Sequence, residues 1–300
     1  MISIIICSKH SDISPELKDN IKNTIGIDYE IVVMDNSNGQ YSIFSAYNKG
    51  FIQSKFPFLC FVHEDVLFKT QNWGKVLINH LSDKKIGIIG IAGGKIMTRI
   101  PASWWMLGYG YKNLIQHYKN NKTSSLEKTQ NHSGNPQPAI LLDGVFLSFR
   151  SELFEKIKFD EDLTGFHGYD HDISVQSVLA GYNNYVVFDI LLEHFSEGDM
   201  NAQYYANLIK IYKKRNDSLP LFAYDITDEV KAGIAKIEVR MLEKLIRRMA
   251  RTGFTTQEIV SDTLFFSDSI KREGVGINIK YLWFKIFFTR LFNAPIYLFR

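Results

Sequence analysis

The stretch Phe58-Leu59-Cys60-Phe61-Val62-His63-Glu64-Asp65 decides the fold, because five apolar residues run straight into a histidine and two acids. An apolar run without polar alternation reads as a strand covered on both faces, which is the habit of parallel sheets. Working outward, residues 2–7, 30–34 and 86–91 are β-branched runs of the same kind, with the central strand spanning 58–63. Helix-length stretches separate them. Ser14-Pro15-Glu16-Leu17 has a capping serine and a proline at the first helical position. Residues 42–54 carry Ile43, Phe44, Tyr47, Phe51 and Ile52 roughly on one face of a helix. Each crossover is long enough for a right-handed βαβ unit, so the first hundred residues predict an α/β sheet with parallel strands.

Beyond this region, 119–138 is polar and reads as a long loop, 139–149 as one strand, 152–156 as a short helix, 170–180 as a helix stopping at Gly181, and 185–188 as a further strand. From Asp199 onward the pattern turns helical, over 201–215, 228–251, 256–271 and 278–292. The chain therefore divides into an α/β domain at 1–200 and a helical extension at 201–300. Apolar residues at 45% and charged residues at 22% exclude a disordered, collagenous or membrane-embedded chain. A net charge of +3 is too small to indicate nucleic acid. Cys7 and Cys60 sit in apolar runs and read as core, with no disulfide framework. Met1 to Cys7 lacks a basic leader, so the expectation is a first strand in a cytoplasmic protein.

In open α/β sheets ligands bind outside the carboxyl ends of the strands. Four polar tips occupy such places: Ser8-Lys9-His10, Asp35-Asn36-Ser37, His63-Glu64-Asp65 and Glu193-His194. Glu64 and Asp65 end a wholly apolar strand, where unpaired charge is costly. A hard divalent ion, Mg²⁺ or Mn²⁺, is one remedy; capping of the next turn is the other reading. His194 offers a nitrogen that Mn²⁺ tolerates better than Mg²⁺, or is simply a satisfied histidine. In Phe166-His167-Gly168-Tyr169-Asp170-His171-Asp172 the glycine supplies a turn and Asp170 either caps the following helix or acts as a general base.

Taken in order, Val32 to Ser37, Ser45 to Gly50, Phe61 to Val66, Leu142-Asp143-Gly144-Val145-Phe146, Phe166 to Asp172, Ala180-Gly181-Tyr182 and His194-Phe195-Ser196 resemble a family 2-type glycosyltransferase with a GT-A fold. Within it the resemblance is to the branch related to the streptomycin-biosynthesis StrF domain, over residues 2–198. It implies a mixed, mainly parallel sheet flanked by helices, and a C-terminal helical extension. It also implies sugar transfer from a nucleotide-diphosphate donor, UDP-sugar favoured, to a glycan or glycolipid hydroxyl, with Mn²⁺ or Mg²⁺ and inversion. Asp35 matches the acid that binds the nucleotide's base or ribose, with Cys7 and Ser8 beside it. Asn48 and Lys49 match the helix that packs against the nucleotide, and Glu64 is counted with them. Asp65 matches the direct metal ligand of an Asp-x-Asp motif whose first acid is His63 here. His194 matches the late metal-binding histidine. Asp170 stands at the catalytic Asp of a Glu-Asp pair, with Tyr169 in place of the Glu. Trp104, Trp105, Asp143, Gly144 and Asp172 fall on the acceptor side. For the tryptophans, core packing is the alternative, with at most one free to stack on a sugar; for Asp143 it is backbone hydrogen bonding. Two rivals remain. A sugar nucleotidyltransferase normally shows a Gly-rich loop after the first strand, and Ser8 to Asp12 contains no glycine. A catalytically idle sugar-binding or assembly protein would keep the fold without turnover.

From Lys231 to the end there are 13 Lys and Arg against 6 Asp and Glu, and no acid follows Gly274. Residues 228–251 place Val230, Ile234, Ile237, Met241, Leu245 and Met249 on one stripe, with Lys236, Arg240, Lys244, Arg247 and Arg248 around it. The last residues crowd in Tyr281, Trp283, Phe284, Phe287, Phe288, Phe292, Tyr297 and Phe299, interrupted by Lys285 and Arg290. An interfacial helix on an anionic bilayer fits this better than a membrane span. The competing reading is a protein partner or self-association into a homo-oligomer. Nucleic acid fits less well, because aromatics this dense favour burial.

Overall fold

A computed structural model describes residues 1–118, 125–129, 134–272, 274–278, 280–284 and 287–288. The chain forms two compact units, Met1–Ile96 with Trp104–Gly198, and Met97–Ser103 with Asp199–Arg300. The second thus takes in seven residues that lie, in sequence, inside the first.

In the first unit a seven-stranded sheet runs in the order Gln137–Ala139, Asn183–Val186, Ile86–Gly90, Phe146–Arg150, Phe58–Val62, Ile2–Ser8, Tyr29–Asp35. Ile2–Ser8 is parallel to both its neighbours, and Phe146–Arg150 is antiparallel to both of its own. The sheet is mixed and its first crossovers leave Ile2–Ser8 in opposite directions, so a topological switch point lies between the ends of Ile2–Ser8 and Phe58–Val62. Helix Pro15–Thr24 begins as its sequence dictates. Ser14 Oγ accepts from Leu17 N, Pro15 opens the first turn, and Leu17 and Ile21 are buried. Helix Ile43–Gln53 buries Phe44 and Tyr47 against the same sheet. Tyr47 meets Phe61 at 4.9 Å and Tyr169 at 5.5 Å, in a cluster continued by Phe149, Phe154 and Phe159.

A second sheet, unexpected from the sequence, joins Leu141–Leu142, Ala92–Gly94, Gly110–Gln116, Leu192–His194 and Val66–Phe68, with Ser125–Lys128 on Gly110–Gln116. It corrects two expectations. The run 139–149 is three strands, Gln137–Ala139, Leu141–Leu142 and Phe146–Arg150, because the chain leaves the first sheet for the second and returns. The return is a turn in which Asp143 Oδ1 accepts from Val145 N at 3.0 Å. The polar segment 119–138 holds two strands rather than one long loop, and 119–124 and 130–133 lie outside the described residues. Residues 152–156 form part of a 3₁₀ turn, Ser151–Glu155, and the strand placed at 185–188 spans Asn183–Val186.

The second unit is built on helices Ala202–Lys214, Asp228–Arg251 and Thr256–Lys271, the last opened by a capping box between Thr255 and Glu258. Within it Met97–Ser103 is pinned by Arg99, which forms a buried ion pair with Glu238 at 2.9 Å, and by Tyr212, whose hydroxyl donates to Ala102 O. Of the helix expected over 278–292, residues 280–284 and 287–288 are helical. Asn278 precedes them as a non-helical residue whose Oδ1 accepts from Tyr281 N, and the rest, with Lys285, Arg290, Phe292, Tyr297 and Phe299, lies outside the described residues. No helix among the described residues is long and apolar enough to cross a membrane.

Candidate active site

Strand alternation puts His63 and Asp65 on one side of the chain as it leaves Phe58–Val62. Directly after Asp65 the chain enters the second sheet as Val66–Phe68, where antiparallel pairing sets Val66 opposite His194. Register therefore brings the distant histidine to the acid. His63 Nδ1 lies 3.4 Å from His194 Nε2 and 3.9 Å from Asp65 Oδ1, and the last two are 3.6 Å apart. A circle through these three atoms has a radius of about 2.1 Å, the length of a metal–nitrogen or metal–oxygen bond.

The outer nitrogens of both imidazoles are held so that the inner ones present lone pairs. Leu192–His194 is parallel to Gly110–Gln116, with His194 opposite Gln116. The Gln116 amide donates to His117 O at 2.8 Å and Ser196 O at 2.7 Å, so its Oε1 faces His194 Nδ1 at 3.1 Å and accepts from it. The Tyr169 hydroxyl donates to Gly144 O at 3.0 Å and accepts from His63 Nε2 at 2.8 Å. Burial holds the Tyr169 phenol well above the usual range, so it stays protonated. Burial, reinforced by His63, depresses His194 to about 4, leaving it neutral at physiological pH. Burial raises the Asp65 carboxyl, but Ser196 and the two histidines outweigh it and the net shift is downward. One carboxylate and two imidazoles fit a divalent ion, and His63 and Asp65 keep about a third of their side-chain surface open.

The other expected residues distribute around this triangle. Glu64 turns to the first strand, accepting from Ser8 Oγ at 2.5 Å and from Lys9 N at 3.4 Å across the switch point. Asp35 pairs in register with Ser8 and accepts from Ser37 N, whose N–H and hydroxyl lower its pKa. Asn48 is engaged on the Phe159–Glu161 turn, donating to Phe159 O at 2.8 Å, and Lys49 lies over the Tyr41 ring. Burial pushes the Cys7 thiol up to about 11 and Cys60 to about 12, so neither is poised as a nucleophile.

Asp170 lies in the first turn of helix Tyr169–Leu179, which follows Gly168, whose φ of +86° suits glycine. Its carboxylate accepts from Gly144 N at 3.2 Å and from His171 N at 2.9 Å. Burial raises its pKa, yet His171 and these N–H groups bring the net shift downward, so it is ionised. Gly144 thus joins Asp170, through its N–H, to Tyr169 and His63, through its carbonyl; a Cβ there would collide with the Tyr169 hydroxyl. Asp143 accepts from Trp104 Nε1 at 3.1 Å, which leaves Trp104 buried while Trp105 is 45% exposed. Asp172 is buried and accepts from Gln176.

Three participants escaped the sequence reading. The ligand position of His63 was legible from its same-face spacing to Asp65. Tyr169 was visible only as a substituted acid, and Gln116 carried no signal, because its strand was not assigned.

None of the curated proteins compared matches the chain. Among solved structures, GalNAc-T7, crystallised with UDP, GalNAc and Mn²⁺, is similar with a TM-score of 0.51 and 12% identity over 79% of this chain and 50% of its own. S. aureus TarS is similar at 12% identity with TM-scores of 0.46 for one structure and 0.45 for its residues 1–349. This chain covers 43% of the first and 93% of the second. The chain thus spans half or less of GalNAc-T7 and of the longer TarS chain. The likeness to GalNAc-T7 shows a shared GT-A fold. Residues 3–215 match the glycosyltransferase like family, more than two-thirds of the sequence, and the chain belongs to that family.

Proposed function

We propose that the chain moves a sugar from a nucleotide-diphosphate donor, a UDP-sugar in first place, to a hydroxyl of a glycan or glycolipid acceptor, with inversion, as a member of the StrF-related branch. The triangle of His63, Asp65 and His194 at the strand ends carries this reading, since it gathers three ligand atoms that could hold a cation beside the switch point. These three residues would hold the ion, and two nitrogens among three donors would favour Mn²⁺ over Mg²⁺. When bound, the ion neutralises charge on the departing diphosphate. The UDP and Mn²⁺ in GalNAc-T7 support the same donor class. Ser8, Asp35 and Glu64 line the nucleotide side; Lys49 lies near it, and Asn48 holds the neighbouring turn. Asp170, ionised and fixed by Gly144 N, takes the acceptor proton as general base. Trp105, exposed beside Asp143-bound Trp104, offers an aromatic face to the acceptor sugar.

Hydrolysis or transfer from a panel of nucleotide-sugars, followed with Mn²⁺ and with chelator, tests this. The expected result is turnover of a UDP-sugar that chelator or Asp65→Ala abolishes. Turnover undiminished by both, or the absence of any turnover together with metal-independent binding, would defeat the reading.

A further inference from the structure

We infer that the second unit docks on an anionic lipid bilayer through a stripe of cations on helix Asp228–Arg251. Lys236, Arg240, Lys244, Arg247 and Arg251 recur at steps of four, four, three and four, so they share one helical face, and all five are exposed. At 1.5 Å per residue the stripe is about 23 Å long. Among the described residues no carboxylate pairs with any of the five. Two other charges of the helix turn toward its own unit. Glu238 is fully buried on Arg99, and Arg248 lies 5.9 Å from the centre of the Tyr205 ring. Unpaired cations left in a row on one face form a footprint for a polyanion.

Exposed aromatics select the bilayer among polyanions. In the same unit Tyr281, Trp283, Phe284 and Phe287 are 42, 46, 56 and 63% exposed, whereas Leu282 between them is 2% exposed. Leu282 anchors this turn to the unit while its large neighbours face outward, in a stretch that has no acid after Gly274. Tyrosine and tryptophan gain most where an apolar interior meets polar headgroups, and an anionic headgroup layer also answers the cations. The inference concerns the second unit alone and stands whatever the donor proves to be.

Sedimentation of the full chain with vesicles tests it. Binding is expected to mixed phosphatidylglycerol–phosphatidylcholine vesicles, not to phosphatidylcholine alone, and to fall as salt shortens the screening length. K236Q/R240Q/K244Q/R247Q/R251Q should lower the partition coefficient by on the order of 100-fold or more. A thermal melt confirms that this variant is folded, and Trp283→Ser with Phe284→Ser gives an independent, smaller loss. Equal binding to neutral and anionic vesicles, or unchanged partition of the folded quintuple variant, overturns the inference. So does retention on a soluble polyanion such as heparin without any retention on anionic vesicles.

Discussion

Replacing Tyr169 by Phe removes one oxygen and little else. The ring keeps its edge contacts with Tyr47 and Phe44, while His63 Nε2 loses its acceptor and Gly144 O loses its donor. His63 is then free to change tautomer or turn its Nδ1 out of the triangle. Loss of such an outer partner typically weakens metal binding by about 10–100-fold, or about 1.4–2.7 kcal/mol. Calorimetric titration of chelator-stripped protein with Mn²⁺ measures it directly. The electron paramagnetic resonance signal of free Mn²⁺ gives a second readout independent of turnover. Gln116→Leu, which releases His194 Nδ1 in the same way, should weaken binding by a similar factor. If Tyr169→Phe binds Mn²⁺ within a factor of about two of the parent, the reasoning fails, because His63 would then be no ligand.

Two further outcomes are expected. Asp170→Asn should keep donor affinity and lose transfer by ~10²-fold or more, since its amide preserves the shape but takes no proton; single-turnover transfer alongside donor titration separates the two. His194 lies at about 4 in the folded chain against an ordinary 6.5, so the unfolded chain binds the proton more readily. Metal-free stability from this group is therefore complete above about pH 6.5 and is lost as the pH falls toward 4, on the order of 2 kcal/mol. Urea titrations across that window, compared with His194→Gln, should show the variant with the flatter profile; parallel profiles would contradict the assignment.

Much of the fold was legible because its signals are local. The apolar run into His63-Glu64-Asp65, the Ser14-Pro15 start and the 228–251 and 256–271 helices are written within single windows of sequence, and the structure repeats them nearly residue for residue. The second sheet was not, since strands of two or three residues such as Leu141–Leu142 and Leu192–His194 are too short to show a period. Its pairings join Val66 to His194 and Ala92 to Lys112, contacts that no local pattern encodes. The site inherits that division. Asp65 could be read from its own strand, whereas Gln116 acquires its place only through the register of Gly110–Gln116 with Leu192–His194.

The turn at Gly144 links the cation triangle and Asp170 in one arrangement. Gly144 reaches both, with its N–H on Asp170 and its carbonyl on Tyr169, the partner of His63, so a shift of this turn moves the proposed base and His63 together. A side chain at 144 would press on the Tyr169 hydroxyl and disturb ion and proton chemistry at once. Tyr169→Phe removes the hydrogen bond to the Gly144 carbonyl, whereas Asp170→Asn removes the carboxylate charge facing the Gly144 N–H, on opposite sides of a residue that stays in place. If ion affinity follows the first and proton transfer the second, without crossing over, Gly144 is a spacer that sets their separation; if each variant damages both, the turn itself is what the two functions share.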